Sequence, residues 1–339
     1  MASTGVSSAN VSIEDHSLHT EGSFLHVFHV ACLLLIFVTA IIGNSLVIHV
    51  IKLDSRLHMP TFYFLVNLCA ADIFTAVAYI PFYVVSVIQH SWVFGEEFCQ
   101  IHAFLISLGF NASLITLSLV SFDRYLAITS PLKYPLKMTG RRMRWLLVLS
   151  WVHSIIWAAF PLVNWGEYMS DPHTHTCRPN WSAAGLISKS YVICMACFVF
   201  AIPVLVMIFC YAKIFTAARV QVRKIVKDSI SQSVASLNTD AEQSISGLGE
   251  TRRHQDMRAH KTILIIIVVF LMCWVAYVIV ALTRLFKKDP MGSLRFTNTG
   301  LTLALMSCSV NPLIFSSRDR RFKRGFRKFF RDCLLKCRQ

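Results

Sequence analysis

Seven long apolar runs constrain this chain more than anything else in it. They are Phe24–Ile51, Phe62–Ile88, Phe98–Phe122, Trp145–Trp165, Ser190–Ala212, Thr262–Thr283 and Phe296–Ser317. Crossing a bilayer as a helix takes about 20 predominantly apolar residues, and each run has them. Lipid offers the backbone no hydrogen bonds, so such runs fold as helices that satisfy themselves. Only 15% of the 339 residues are charged, against about a quarter in a soluble domain. The expected fold class is an all-α membrane protein, a seven-helix bundle over 24–317. A polar segment, 1–23, precedes it, and a cytosolic tail, 318–339, follows.

The basic residues set the orientation. None of the 33 lysines and arginines precedes Lys52, and alternating the loops puts 27 on one face and six on the other. The rich face is expected to be cytosolic, with the N-terminus outside the plasma membrane and the C-terminus inside. The net charge of +15 then serves lipid headgroups and protein partners rather than nucleic acid. Met1–Ser23 has no basic n-region, so span 1 reads as its own signal anchor. Asn10 and Asn180 head glycosylation sequons on the outer side, whereas the sequon at Asn111 falls inside span 3.

Cysteines divide by compartment. Cys99 and Cys177 lie at the outer surface, where thiols oxidise, and a disulfide between them is expected. Cys333 and Cys337 follow Arg318–Arg331, which alternates basic residues with phenylalanines. That stretch reads as an amphipathic helix on the inner leaflet, with the two cysteines as palmitoylation sites. Between spans 5 and 6, the Ser/Thr/Gln-rich region of about 221–256 is expected to be disordered.

Polar residues and prolines are sparse in the spans and therefore informative. Asp72 is a carboxylate in mid-bilayer, costly unless satisfied. Asp123-Arg124 stands where span 3 meets water, after 25 residues with no Lys, Arg, Asp or Glu. An arginine there can be held in one ion pair and released to another partner, which is the chemistry of a switch.

Taken in order, these features resemble the rhodopsin-like family of G-protein-coupled receptors. The likeness rests on Gly43-Asn44, Leu68-Cys69-Ala70-Ala71-Asp72, Trp92-Val93-Phe94-Gly95, Cys99, Asp123-Arg124-Tyr125, Trp151, Pro203 with Tyr211, Cys273-Trp274, and Asn311-Pro312-Leu313-Ile314-Phe315. The resemblance implies that a signal from outside swings span 6 outward and opens a cytosolic cavity for a Gα C-terminus. Arg124 would be the pivot, held when off by Asp123 and by Asp256. Leu132 would pack on Gα. Receptor kinases and arrestin would be further partners. Asp72, Ser113, Ser307 and Asn311 match the ligands of an inhibitory sodium ion; no other cofactor is implied. Two departures stand out: Ala276 replaces the usual span 6 proline, and Phe315 replaces the tyrosine whose hydroxyl would reach Tyr211 through water.

The same likeness narrows the ligand. Ile106 occupies the position where amine receptors carry a cation-pairing acid. Leu305 occupies the retinal-linking position, and span 7 has no lysine. Neither an amine nor a retinal Schiff base is expected. The inferred pocket is Tyr83, His102, Ile106, Met195, Val199, Trp274, Tyr277, Val278, Leu301 and Leu305. It is apolar, and suits a lipid-like ligand or the chain's own second outer loop. The stretches Tyr134–Gly140 and Ala218-Arg219-Val220 are similar to amine-receptor-related orphans, one of which resides in the primary cilium. They tilt the coupling expectation towards Gs and cAMP.

Eight of thirteen histidines (His16, His19, His26, His29, His90, His102, His173 and His175) fall at or near the outer face. Clustered imidazoles could sense protons or bind zinc, an alternative input. A transporter would need a charged path through the membrane, yet Asp72 alone is charged at mid-depth. No acid pair or Ser/His set meets at one depth, so no enzyme is expected.

Overall fold

A computed structural model describes residues 5–53, 60–171, 174–181, 185–235, 243–286, 294–318 and 320–336, with side chains mainly in 25–53, 62–171, 174–181, 185–220, 262–283, 297–317 and 322–331. Ten helices and one hairpin follow in the order α1 (Gly5–Leu53), α2 (Pro60–Ile88), α3 (Glu96–Thr129), α4 (Tyr134–Lys137), α5 (Gly140–Ala159), β1 (Tyr168–Asp171), β2 (Thr176–Pro179), α6 (Leu186–Met195), α7 (Ile202–Ala235), α8 (Gln243–Phe286), α9 (Leu294–Arg318) and α10 (Arg320–Lys336). Six of the expected spans are long and apolar enough to cross a membrane. The seventh, α9, is long enough, and more polar because its inward face carries Thr297, Ser307, Ser309 and Asn311, all buried.

Span 5 is built from three pieces. α6 passes into a π-turn over Ala196–Ala201 before α7 begins. Pro203 has no N–H to give and its ring crowds the preceding turn. The wider turn accommodates it, at the level of the inferred pocket residue Val199, which is buried.

Small residues set the closest approaches. At Gly43 an added Cβ would lie 2.8 Å from the Pro312 ring, so α1 and α9 touch there. The neighbouring Asn44 donates to the Cys308 carbonyl of α9 at 2.9 Å. At Gly300 a Cβ would lie 3.2 Å from the Tyr277 backbone and 3.3 Å from that of Ala276. The departure at Ala276 thus sits where spans 6 and 7 press together.

The core divides by depth. The inner half packs Leu68, Leu117, Val120, Phe270 and Phe315; the outer half packs Tyr79, Tyr83, Ile106, Leu301 and Leu305. α10 is amphipathic as expected. Phe322 is buried, with Phe315 5.5 Å and Phe62 6.3 Å away ring to ring. Lys323, Arg324, Arg327, Lys328 and Arg331 are exposed on the other face.

The third inner loop departs from the expectation of disorder. α7 continues to Ala235 and α8 begins at Gln243, so the backbone of most of 221–256 is helical. No glycine or proline interrupts 213–235, and a helix without a breaker propagates from an already formed span.

Candidate functional site

The inner end of α3 holds the charged site. Arg124 donates to Asp123 Oδ2 through Nε at 3.1 Å and Nη2 at 2.6 Å. Tyr134, from the short helix α4, donates to the other carboxylate oxygen at 2.7 Å. Asp123 is fully buried, while Arg124 keeps 13% of its side chain exposed. A buried carboxylate gripped on both oxygens holds the guanidinium with strong, charge-assisted bonds, yet leaves part of it exposed at this end of the bundle. Tyr125 stacks its ring edge-on near Phe209 of α7, 5.9 Å away. Leu132 is 93% exposed. Asp256 lies in α8, but its side chain is outside the described residues, as are Cys333, Cys337, Asn10 and His173.

Tyr211 and Phe315 meet the consequence of their chemistry. The Tyr211 hydroxyl is buried and has no hydrogen-bond partner among the described residues. Phe315 offers none and is buried against Phe322 instead.

At mid-depth, Asp72 gathers neighbours from two spans. Ser113 of α3 donates to Oδ1 at 3.0 Å, and Asn311 of α9 donates to Oδ2 at 2.8 Å. Ser307 does not join them; its hydroxyl donates to the Ala304 carbonyl at 2.6 Å. The Asn44 side-chain oxygen is buried without a partner among the described residues. A carboxylate, hydroxyls and a spare amide oxygen suit a hard monovalent cation, which takes oxygen ligands. Nearby, Trp151 donates to Asn67 at 2.9 Å and Asn67 donates to Thr116 at 2.8 Å, tying α5, α2 and α3.

The outer end carries the element that sequence reasoning missed. β1 and β2 form an antiparallel hairpin, with Tyr168 opposite Pro179 and Asp171 opposite Thr176. The Cys99–Cys177 disulfide pins β2 to the top of α3. Every residue of β2 is buried. Arg178 donates to Asp171 through Nε at 2.8 Å and again through Nη2, and its Nη1 reaches the Pro179 carbonyl at 3.1 Å. Both ion-pair partners are buried. Thr176 meets the Tyr79 hydroxyl of α2. Burial holds the Tyr168 phenol above its ordinary titration range, and it donates as a neutral group to the Ala158 carbonyl at 2.8 Å. In sequence, the Tyr168–Asp171 and Thr176–Pro179 pieces are too short to announce strands, and Arg178 looks like any outer-loop cation.

An aromatic column runs inward from this lid. Trp181 packs at 6.2 Å from Tyr277; Tyr277 stands 5.9 Å from Trp274; Trp274 meets Phe110 edge-on at 4.4 Å and stacks over Phe270 at 5.7 Å. Of the inferred pocket residues, Tyr83, Ile106, Trp274, Tyr277, Leu301 and Leu305 share one cluster. Met195 packs with Trp181 and Tyr191 beside it. Val278 is half-buried. His102 stands apart: it stacks on Tyr79 at 4.2 Å and lies among Trp92, Phe82 and Phe98. The hydroxyl of Tyr83 and the indole N–H of Trp274 are buried donors without partners among the described residues.

A family model described as the 7 transmembrane receptor (rhodopsin family) matches residues 43–315. Melanopsin of Felis catus is 27% identical over 306 residues, covering 90% of this chain and 59% of the relative. The "Rhodopsin, GQ-coupled" of Mizuhopecten yessoensis is 27% identical over 286 residues, covering 84% and 56%. The chain thus spans little more than half the length of these relatives. The crystal structure of squid rhodopsin superposes with a TM-score of 0.79 at 23% identity, over 93% of this chain and 88% of that one. At that identity the likeness is one of fold.

Proposed function

Because the chain belongs to the rhodopsin family of seven-transmembrane receptors, we propose that it exchanges nucleotide on a heterotrimeric G protein in response to an outer or membrane-derived signal, or from its own basal activity. The observation that carries this is the Asp123–Arg124–Tyr134 clamp at the mouth of α3. Releasing Arg124 from a buried carboxylate trades one charge-assisted partner for another, which requires an incoming acceptor such as the backbone of a docked Gα helix. Leu132, exposed on the same face, supplies an apolar contact for that partner. Arg124 held by Asp256 as well is part of this reading. It also places the chain in the plasma membrane or a ciliary extension of it, N-terminus outside.

The ligand expectation has two parts. First, the receptor does not carry retinal as a Schiff base: that bond needs a primary amine, Leu305 has none, and no lysine occurs in α9. Second, the pocket is apolar and is capped by the chain's own hairpin, with Trp181 in contact with Tyr277. That supports an apolar ligand reaching the pocket, or the lid acting as occupant. Sodium at Asp72, Ser113 and Asn311, with Asn44 Oδ1 in reserve, would stabilise the off state. The test is basal output with sodium replaced by choline: it should rise, and an unchanged output removes the ion.

The test of the main reading uses purified receptor in lipid nanodiscs with Gs and Gq heterotrimers, reading GTPγS uptake. Similarity of Tyr134–Gly140 to amine-related orphans favours Gs, whereas one relative is named as Gq-coupled, so both heterotrimers are needed. Uptake faster than with empty nanodiscs on either one, lost in Arg124→Ala, is the expected result. No acceleration on any heterotrimer by folded receptor would overturn the reading.

A further inference from the structure

Three imidazoles from three separate segments meet at the outer mouth. His26 stands within α1 at the start of its apolar span, His90 at the tip of the loop after α2, and His175 in the turn of the hairpin. The His26 and His90 rings lie 4.4 Å apart, tilted by 31°. His90 then meets His175 edge-on at 6.0 Å. His90 and His175 both hold left-handed backbone, at φ 52° and 54°, a conformation uncommon for residues other than glycine. All three side chains are half-buried or exposed, so water and protons reach them.

Among the described residues, His29, Asp171 and Glu96 have partners of their own. On α1, His29 bonds Thr302 of α9 at 2.9 Å and lies edge-on to Tyr83. On the hairpin, Asp171 accepts from Arg178, and its backbone carbonyl accepts from the His175 N–H at 2.9 Å. At the start of α3, Glu96 accepts from Gln100. The contact that His26 and His90 make with each other is therefore imidazole on imidazole.

From this geometry we propose that the outer mouth is a proton-sensing site, in which protonation of the His26–His90 pair displaces His90 from its contact with His175 and so loosens the hairpin lid. The proposal rests on the receptor reading above and adds the ligand to it. Imidazoles ordinarily titrate near pH ~6.5. Two cations at ring-contact spacing repel, so charging both rings disfavours the closed contact. The closed lid is therefore favoured above that range and weakened as pH falls through it. Loosening reaches the aromatic column because the same hairpin leads into Trp181, which sits on Tyr277. Among the described residues no three His, Cys, Asp or Glu side chains could hold a metal together, which favours the proton over zinc.

The experiment is hydrogen exchange of the β1 and β2 amides in purified receptor in nanodiscs, at pH 7.5 and 5.8, corrected for intrinsic exchange. His90→Phe keeps a ring but cannot titrate. Because His90 has unusual backbone, His26→Phe, in regular helix, is the second variant. Acid should raise hairpin exchange by about fivefold in the natural chain, the effect of two charges at this spacing even at the dielectric of water. Both variants should lose that rise. A flat natural chain, or an equal rise in both variants, overturns the proposal. Zinc protection of the hairpin at constant pH 7.5, lost in the variants, would put a metal in place of the proton. This readout needs no G protein, so it stands or falls apart from the coupling reading. Basal GTPγS uptake, measured beside it, should change with pH only in the natural chain. A hairpin that responds while active receptor shows unchanged uptake would reduce the cluster to a structural contact.

Discussion

The two ends of the bundle are built in opposite ways. The outer end is fastened many times over: a disulfide, a buried ion pair, a buried strand, and aromatic rings joining the loops to α2, α3 and α8. At the inner end, the contacts of the charged site among the described residues include one ion pair and one tyrosine hydrogen bond, and Leu132 is 93% exposed. A bundle anchored at one end and lightly latched at the other can move its inner ends without coming apart. On the proposed reading, the heavier fastening lies at the outer mouth and the lighter latch at the inner one.

The sharpest break in this contrast comes from Cys99→Ser. The disulfide closes a separation of 78 residues, and loop entropy alone assigns such a link about 4.5 kcal/mol. The variant should lose most of its surface expression and melt at clearly lower temperature in nanodiscs. Next is Arg178→Ala, which takes the guanidinium away from the buried Asp171 carboxylate, at a cost of about 3–5 kcal/mol. The double change Asp171→Leu with Arg178→Met should recover most of that loss in the same melting assay. If the single variant is as stable as the natural chain, the hairpin is not the anchor described.

Inner-end changes should lower melting less than outer-end ones and move signalling more. Tyr134→Phe removes a hydrogen bond to a charged group, worth about 1.5–3 kcal/mol. Arg124 should then be released more readily, and agonist-free GTPγS uptake should rise about tenfold or more. The smallest effect is expected from Phe315→Tyr, which offers the unpartnered Tyr211 hydroxyl a counterpart when the inner end opens. A neutral hydrogen bond contributes about 0.5–1.5 kcal/mol, so basal uptake should rise roughly two- to tenfold. Equal loss of melting temperature for inner and outer variants would erase the comparison.

Much of the site near the inner mouth was legible from sequence because its chemistry is compressed into neighbours. Asp123 and Arg124 are adjacent, and adjacency at a helix end already allows the ion pair that the structure shows. Tyr134 was not legible as their partner, since only the turn after α3 brings α4 back beneath it. Asp72 announced itself by its depth, and its bonds to Ser113 and Asn311 follow the expected set, while Ser307 turned to its own helix. His102 was included in the pocket inferred from the resemblance, and aromatic rings of α2 and its following loop pack around it.

By itself the sequence determined the number of spans and their helical nature, and it supplied the expectation for their sidedness and for the switch residues. Apolar length and basic asymmetry answer to the bilayer, which acts on each segment separately and needs no knowledge of the others. Tertiary structure alone decided what closes the outer mouth. Two four-residue strands, a buried Arg178 and three histidines from three segments carry no local period that marks them. Their roles arise only when the disulfide and the packing of α1, α2 and α3 bring them to the same few ångströms.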